Sequence, residues 1–378
     1  MRVGIPREIK DGERRVALLP DGVRALAAAG HDVVVERDAG TAIGVTDDDY
    51  RAAGAVIASG PDAVGGPWSC PLVVKVKELQ PAEYGRLVAG TTVCGFAQLA
   101  RDPALLDAVR AARIGVVAFE TVRTPDGVAP LLAPMSRIAG RLAPFAGGLA
   151  LGTDRGGAGV LLTGVDAVPP AAVVVVGAGS AGTEAARVAA SIGCRVTLVS
   201  RGARRLAAAA AALAAAGLRV RADTLDALGA DGFAAALADA DVIIGAVLEP
   251  GRLSPKLVTR AHLRSMRAGS AFVDVGIDQG GIAQTSRMTS LSAPTYVKEG
   301  VVHYAVPNMP SLVARTAAFA LAAAALPYVL RLAQQGVAKA LASDAALAAG
   351  TMVWDGAIVD PRLAADRGER CAAPPWRA

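Results

Sequence analysis

Short apolar runs alternate with stretches of helical composition along most of the chain. Runs of buried-strand type cover 1–5, 32–36, 72–76, 92–97 and 114–119, each too short for a core helix. Helical segments lie between them at 22–29, 47–53, 82–87 and 103–112, and Asp21 is placed as the cap of the first. A long helix, 134–151, then bridges to a second series of strands at 173–176, 196–199, 218–221, 241–246 and 271–275, with a last segment at 301–306. Such alternation predicts parallel sheets with helices on both faces. The expected fold class is α/β, with two doubly wound Rossmann-like domains. The expected division is 1–133, 134–306 and 307–378, the last part returning to the first domain through the apolar helix after Val306. No internal sequence repeat is visible.

One stretch organises the rest. Residues 173–205 read VVVVGAGSAGTEAARVAASIGCRVTLVSRGARR. Four valines end at Gly177, and Gly177, Gly179 and Gly182 have the G-x-G-x-x-G spacing, followed by a helix and a second strand. The first glycine permits the tight turn, the second lets a pyrophosphate approach, and the third lets helix and strand pack closely. Ser180 and Ala181 fall within the motif, and the helix expected at 183–192 turns its free N-terminal amides to the anion. NAD sites normally carry a carboxylate at the tip of the second strand, bound to the ribose 2′-OH. Here the tip is Ser200, followed by Arg201, Arg204 and Arg205. A serine with guanidinium groups suits a 2′-phosphate, so NADP(H) is the preferred cofactor and NAD(H) remains possible. The structural alternatives are a βα turn that only packs and an arginine-rich, solvated helix start.

Two further residues stand at predicted strand ends. Lys75 closes the run at 72–76 and Gln98 follows the run at 92–97. In parallel sheets ligands bind beyond the carboxyl ends of the strands.

Composition narrows the reading. The 378 residues are 53% hydrophobic and 19% charged, enough core for two domains. The alanine-rich run 206–218 is read as a helix, since alanine is the best helix former. The net charge of +5 is scattered arginine without a basic stripe, so nucleic acid is not an expected partner. Cys70, Cys94, Cys194 and Cys371 lie far apart, which predicts reduced thiols in a cytoplasmic protein and no metal site. No signal-peptide pattern is present. The apolar stretch 316–332, interrupted by Arg331, falls short of the ~20 residues of a spanning helix, so no membrane partner is expected. The tail from Ala364 is expected to fray.

The ordered segments MRVGIPREIK…ERRVALLP, LVVKVKE, APMSRIAGRLA, the glycine motif, IGAVLEPG, FVDVGIDQGG and VPNMPSLV resemble the alanine dehydrogenase and transhydrogenase domain I family over nearly the whole chain. The DQGG and NMP segments look more like the alanine dehydrogenase branch. The resemblance implies two domains with the active site in the cleft between them, a small amino, keto or imino acid as substrate, and a homo-oligomer, hexamer or dimer. It places substrate binding on Arg15 and Lys75, and catalysis on Lys75, Asp278 and the position of Gln98. Physically, Arg15 offers a fork for a carboxylate and Lys75 a donor to a keto or imino group. Cofactor contacts fall by the same resemblance on Ser136, Arg205, Val247, Leu248, Val275 to Asp278, Arg287 and Val306 to Met309, Asn308 among them. The structural alternatives are that Arg15 and Lys75 are surface cations and that Asp278 is a helix N-cap.

Two departures from the family pattern matter. Ser200 and Arg201 stand where NAD-specific members carry an aspartate. Gln98, in GFAQLA, stands where alanine dehydrogenases have an acid–base histidine. A carboxamide cannot titrate but still donates a hydrogen bond. Reductive amination from free ammonia needs several proton transfers, and acid–base catalysis is typically worth ~10²–10⁴-fold. None of the three histidines is an obvious replacement: His31 falls in a turn, His262 in an outer helix, and His303 reads as a packing or surface residue. The expectation is an NADP(H)-dependent oxidoreductase acting on a C–N bond alpha to a carboxylate. Three alternatives stay open: an NAD-dependent alanine dehydrogenase that tolerates the glutamine, a transhydrogenase domain I-like subunit, and an inactive NADP-sensing regulator.

Overall fold

The computed structural model describes residues 1–247, 253–374 and 376. The chain divides into two compact units, Met1–Met135 with Ser311–Ala378, and Ser136–Pro310.

The first unit begins with β1 (Arg2–Ile5), α1 (Pro20–Ala28), β2 (Asp32–Glu36), α2 (Asp47–Ala52), β3 (Ala55–Ala58), β4 (Leu72–Val74), β5 (Thr92–Gly95), α3 (Pro103–Ala111) and β6 (Gly115–Ala118). These strands are parallel, in the order β3-β2-β1-β4-β5-β6. The chain builds outward from β1 on one side, then returns to build from β4 on the other. The direction of winding therefore reverses between β1 and β4, and a crevice opens there at the carboxyl ends of the strands.

The helix α4 (Leu132–Ala150) carries the division between the units. The second unit then contains β7 (Ala172–Val176), α5 (Ser180–Ser191), β8 (Arg195–Ser200), α6 (Ala203–Ala215), β9 (Arg221–Thr224), α7 (Leu225–Ala238), β10 (Val242–Gly245), α8 (Arg260–Ser265), β11 (Ala271–Asp274), β12 (Thr295–Lys298) and β13 (Val301–Tyr304). Its parallel order is β9-β8-β7-β10-β11-β13, with β12 antiparallel at the edge. This is the same winding, with the reversal between β7 and β10. Alternate residues of these strands feed two separate cores. Val173, Val175, Val242 and Ile244 lie in one, and Val174, Val176, Ile243 and Phe272 in the other. Burial on both faces is why these strands read as unbroken apolar runs.

The chain then returns to the first unit through α9 (Ala314–Gln335), α10 (Val337–Ser343), α11 (Ala345–Gly350), β14 (Thr351–Trp354), β15 (Ala357–Ile358) and α12 (Pro361–Arg367). β14 pairs antiparallel with β6, and β15 with β14.

Several expectations need correction. Leu19, not Asp21, is the N-cap of α1; Pro20 occupies the first turn and Asp21 follows it, where its charge favours the helix dipole. Segment 82–87 is a 3-10 turn at Pro81–Arg86. The strand expected at 218–221 is β9, three residues later, because Gly217 (φ 74°) ends the preceding helical turn and the chain must re-extend before it pairs. Strands β3, β12, β14 and β15 were not expected; all are short and lie at or near a sheet edge, where apolar patterning is weakest. The tail does not fray at Ala364: that residue is 2% exposed within α12, and the Ala372 N–H donates to the Ile358 carbonyl at 2.8 Å. The apolar helix α9 has 22 residues, so length does not distinguish it from a spanning helix. Its buried stripe includes Ala317, Leu321, Ala325, Val329 and Leu332.

Candidate active site

At the reversal in the first unit, residues just past the ends of β1 and β4 converge. Lys75 follows β4 and is 1% exposed, its ammonium 2.7 Å from Glu83 Oε1 and 3.2 Å from Glu8 Oε2. Glu8 follows β1, and its other oxygen accepts the Val76 N–H at 2.6 Å. Glu83 is held in turn by the Gln80 N–H at 2.8 Å. Burial works against the Lys75 charge, but Glu8 and Glu83 outweigh it and hold the ammonium above the usual lysine range. Burial raises Glu8 above the ordinary carboxylate range, with Lys75 and the Val76 N–H opposing and Glu83 and Glu13 adding to the rise.

Arg15 is also buried, at 2% exposure. Glu13 grips it with two oxygens, Nε at 2.7 Å and Nη2 at 2.5 Å, while Nη1 lies 3.1 Å from the Met135 sulfur. Neither Arg15 nor Lys75 is a surface cation, so that alternative is excluded. Burying a charge is costly unless it is paired and hydrogen-bonded, and each of these has its carboxylate within the same sequence motif or the next strand end.

Gln98 lies just beyond β5 in the left-handed region, φ 54°. Its own N–H donates to Glu120 Oε1 at 2.7 Å, and the Ala97 N–H lies 3.1 Å from both Glu120 oxygens. Glu120 follows β6. Lys75, Gln98 and Glu120 thus come from the ends of three adjacent strands, β4, β5 and β6.

In the second unit the glycine turn leaves β7 at the reversal. Gly177 has φ 115°, and a Cβ there would lie 2.4 Å from the Ala246 carbonyl oxygen. A Cβ at Gly182 would lie 1.7 Å from the Gly177 oxygen. At Gly179 a Cβ would meet nothing among the described residues within 4 Å. The outer two glycines are therefore demanded by the fold, whereas the middle one leaves open space in front of α5. No side chain caps α5, so its first amides suit an anion. Ala181 is crossed by α4, where a Cβ on Gly140 would lie 2.1 Å from its oxygen. Half-buried Ser136 precedes that crossing by one turn. Val247 follows β10 beside the turn, its Cγ2 3.1 Å from a Cβ built on Gly177. Leu248 lies outside the described residues. Ser200 ends β8, its hydroxyl 3.4 Å from the Gly202 N–H, and Arg201, Arg204 and Arg205 are exposed around the start of α6. An open cavity of about 990 Å³ lies at the other end of these strands, lined by Arg195, Arg219 and Asp239 among others; it does not include the glycine turn.

Asp278 sits inside the 3-10 turn Ile277–Gln279, whose N-cap position is Gly276 with no side-chain cap. It is not an N-cap. Its Oδ2 accepts the Asn308 N–H at 3.2 Å, and Asn308 itself has φ 55°. The turn is gripped from two sides. Lys256 Nζ donates to the carbonyls of Gly280 and Gly281 at 2.5 and 2.8 Å. Asp274 Oδ2 accepts the Ser286 hydroxyl at 2.5 Å and the Ile282 N–H at 3.0 Å. Burial pushes Asp274 up to about 6 against those hydrogen bonds. Val275 leads into the turn from β11. Arg287 leaves it with its guanidinium 4.6 Å above the Tyr296 ring. Val306 and Met309, beyond β13, are buried at 1% and 3%.

The histidines are engaged elsewhere. His31 contacts the N-terminal amine at 3.1 Å, His262 accepts the Thr259 N–H at 3.3 Å, and His303 is fully buried against Thr285 at 2.8 Å. Among the described residues no group of three His, Cys, Asp or Glu is placed to hold a metal.

Sequence reasoning missed Glu8, Glu83, Glu120, Lys256 and Asp274. Glu8 and Glu83 had a signal: Glu8 lies in the charged segment after β1, and Glu83 follows the strand whose end carries Lys75. The others depend on pairings remote in sequence.

Two parallel sheets of identical winding, one with a dinucleotide turn at its reversal and the other with a buried cationic cluster, define a nicotinamide-dependent oxidoreductase of the two-domain Rossmann-like type. Comparisons with known proteins place it more closely. The N-terminal domain profile of alanine dehydrogenase/PNT matches residues 4–139 and the C-terminal domain profile residues 143–361. The chain belongs to that family and is an amino acid dehydrogenase. It is 45% identical to an alanine dehydrogenase of Halomonas elongata, covering 95% of this chain and 94% of the relative. It is 43% identical to one of Mycobacterium tuberculosis, covering 97% of each. A solved L-alanine dehydrogenase superposes with TM-score 0.90 at 42% identity, over 97% of this chain and 99% of the other. A transhydrogenase from Sinorhizobium meliloti gives TM-score 0.76 at 25% identity, over 96% and 99%.

Two predictions follow from this geometry. Gly182→Ala should fail to form the turn and unfold early, whereas Gly179→Ala should keep its melting temperature and lose dinucleotide affinity; equal binding by Gly179→Ala and wild type would show that no pyrophosphate approaches there. Lys75→Met leaves Glu8 and Glu83 buried without their cation. Denaturant unfolding at neutral pH should show a loss of about 3–5 kcal/mol. Glu8, which burial already raises above the ordinary carboxylate range, then loses the opposing charge of Lys75, so part of the lost stability should return as pH falls and that carboxylate takes up a proton.

Proposed function

We propose that this enzyme uses NADP(H) in preference to NAD(H) and acts on the C–N bond of an alpha-imino or secondary alpha-amino acid. The observation that carries the reading is Gln98: a neutral amide, with no hydrogen-bond partner for its side chain among the described residues, at the end of the strand next to Lys75. Arg15 binds the substrate carboxylate, keeping Glu13 on its other edge. Lys75 stays charged and donates a hydrogen bond to the group on the alpha carbon. Gln98 orients the same group through its carboxamide. The nicotinamide supplies or accepts the hydride. Asp278, steadied by the Asn308 N–H, exchanges the single proton needed at nitrogen. A preformed imine needs no ammonia addition and no dehydration, so the absent imidazole costs little.

The cofactor preference rests on Ser200 and Arg201. A serine in place of a carboxylate ends that strand, and three exposed arginines follow it in sequence. Arg205 takes the place near the adenosine ribose, and Ser136 and Arg287 line the same cofactor.

A second reading is supported by the named relatives at 43% and 45% identity: an alanine dehydrogenase in which water bridges from Gln98. In either reading the enzyme works as a homo-oligomer on a small-molecule substrate.

Titration with NADPH and NADH tests the cofactor. NADPH should bind more tightly, and Arg201→Ala should weaken it by about 1–3 kcal/mol while leaving NADH nearly unchanged; equal or tighter NADH binding rules the preference out. Turnover tests the substrate. Pyruvate with ammonia should give negligible rates, and a member of a panel of cyclic imino acids and keto acid–amine mixtures should react well. Gln98→His should gain pyruvate amination. Ordinary amination rates in the wild type would favour the second reading.

A further inference from the structure

Gln98 holds a backbone conformation that non-glycine residues seldom adopt, at φ 54°. The left-handed region costs a non-glycine residue roughly 1–2 kcal/mol. Directly against this turn lies Glu120, whose carboxylate accepts the Gln98 N–H at 2.7 Å and the Ala97 N–H at 3.1 Å. Successive backbone N–H groups converging on one anion form a nest. Here the anion is part of the chain. Burial raises the Glu120 pKa, while the N–H groups of Gln98, Glu120 and Ala97 and the charge of Lys77 oppose the rise. Oε1 accepts both N–H groups, and the Ala97 N–H is shared with Oε2.

A glycine at 98 would make the same turn without strain, and no buried acid would be needed to hold it. The chain instead keeps a long amide in a disfavoured conformation and a desolvated charge beneath it. Strain held in place by costly neighbours is a mark of functional constraint. We propose that Glu120 is the positioning residue for Gln98: its carboxylate fixes the Ala97–Gln98 turn and so sets where the Gln98 carboxamide points. The inference rests on the reading that Gln98 acts on the substrate. Glu120 contributes to turnover through Gln98 and through nothing else.

A double-mutant cycle on the full chain tests it. Glu120→Ala, Gln98→Ala and the double variant are compared for kcat and KM with NADPH, using pyruvate plus ammonia and pyruvate plus methylamine as separate probes. Cofactor affinity and denaturant unfolding are measured alongside. Glu120→Ala alone should lower kcat on the order of 10–100-fold, the scale of a misplaced catalytic group, with cofactor affinity unchanged. In the Gln98→Ala background the same change should have almost no effect on kcat. Glu120→Gln keeps an acceptor for the two N–H groups and removes the buried charge. It should unfold no earlier than wild type, yet lose part of kcat because the turn is less tightly held, and it serves if the alanine variant does not fold. If the effects of Glu120→Ala and Gln98→Ala multiply, Glu120 acts independently and the inference is overturned, while the role of Gln98 stands. If Gln98→Ala alone leaves kcat intact with both probes, the role of Gln98 falls and this inference falls with it.

Discussion

A single ammonium, that of Lys75, is kept charged at the end of a sheet from which water is almost excluded. Much of the first unit is arranged around that requirement. Two carboxylates face the charge, one from the loop after β1 and one from the 3-10 turn that follows β4. Each carboxylate needs its own donor, supplied by the Val76 and Gln80 amides. Such clusters seldom add net stability compared with apolar packing, because desolvation offsets most of the attraction. What the arrangement gives is a donor that is fixed, charged and dry, where an interaction with a substrate carbonyl or imine is strongest.

Both units place their chemistry by the same device. In each, winding reverses between the first strand and the fourth in chain order, which are neighbours in the sheet, so loops leave in opposite directions and a crevice stays open at the carboxyl ends. The furnishings differ. The second unit fills its reversal with backbone: a glycine turn, open space before Gly179 and the uncapped start of α5. The first fills its reversal with side chains of both signs. One surface is therefore suited to a pyrophosphate, whose charge is met by amides, and the other to a small carboxylate-bearing molecule, met by Arg15 and Lys75.

The sequence carried the fold well where local pattern and burial agree. Val173 to Val176 could hardly be anything but a buried strand, and the glycines after it have distinct steric reasons for being there. The pattern failed at edges: β14 and β15 join the first sheet in antiparallel sense from the far end of the chain, and nothing in Thr351–Ile358 points to β6. Asp21 looked like a cap because of its type, but the chain enters α1 through Pro20. For the site, cations at strand ends were legible because position and charge coincide. The remoter carboxylates were not, since Glu120 meets Gln98 across 22 residues and Asp274 is recognised only through a loop that folds back on it. The left-handed turn at Gln98 has no signature in a residue of that type.

Proton capacity offers a last way to weigh the chemistry. Around Gln98 the groups that could carry a proton are already committed. Lys75 is held above its usual range and does not release its proton near neutrality. Glu8 and Glu83 are bound to Lys75, Glu13 to Arg15, and Glu120 to two backbone amides. A histidine at position 98 would have been the titrating member of this set, changing charge in the physiological range. In the reading proposed above, the cluster with glutamine in its place polarises and orients a double bond and does not relay protons. In that reading Asp278 serves a single transfer at nitrogen. This division matches reduction of a carbon–nitrogen double bond that arrives already formed. Building that bond from ammonia and a keto acid would require a proton to be delivered and removed more than once.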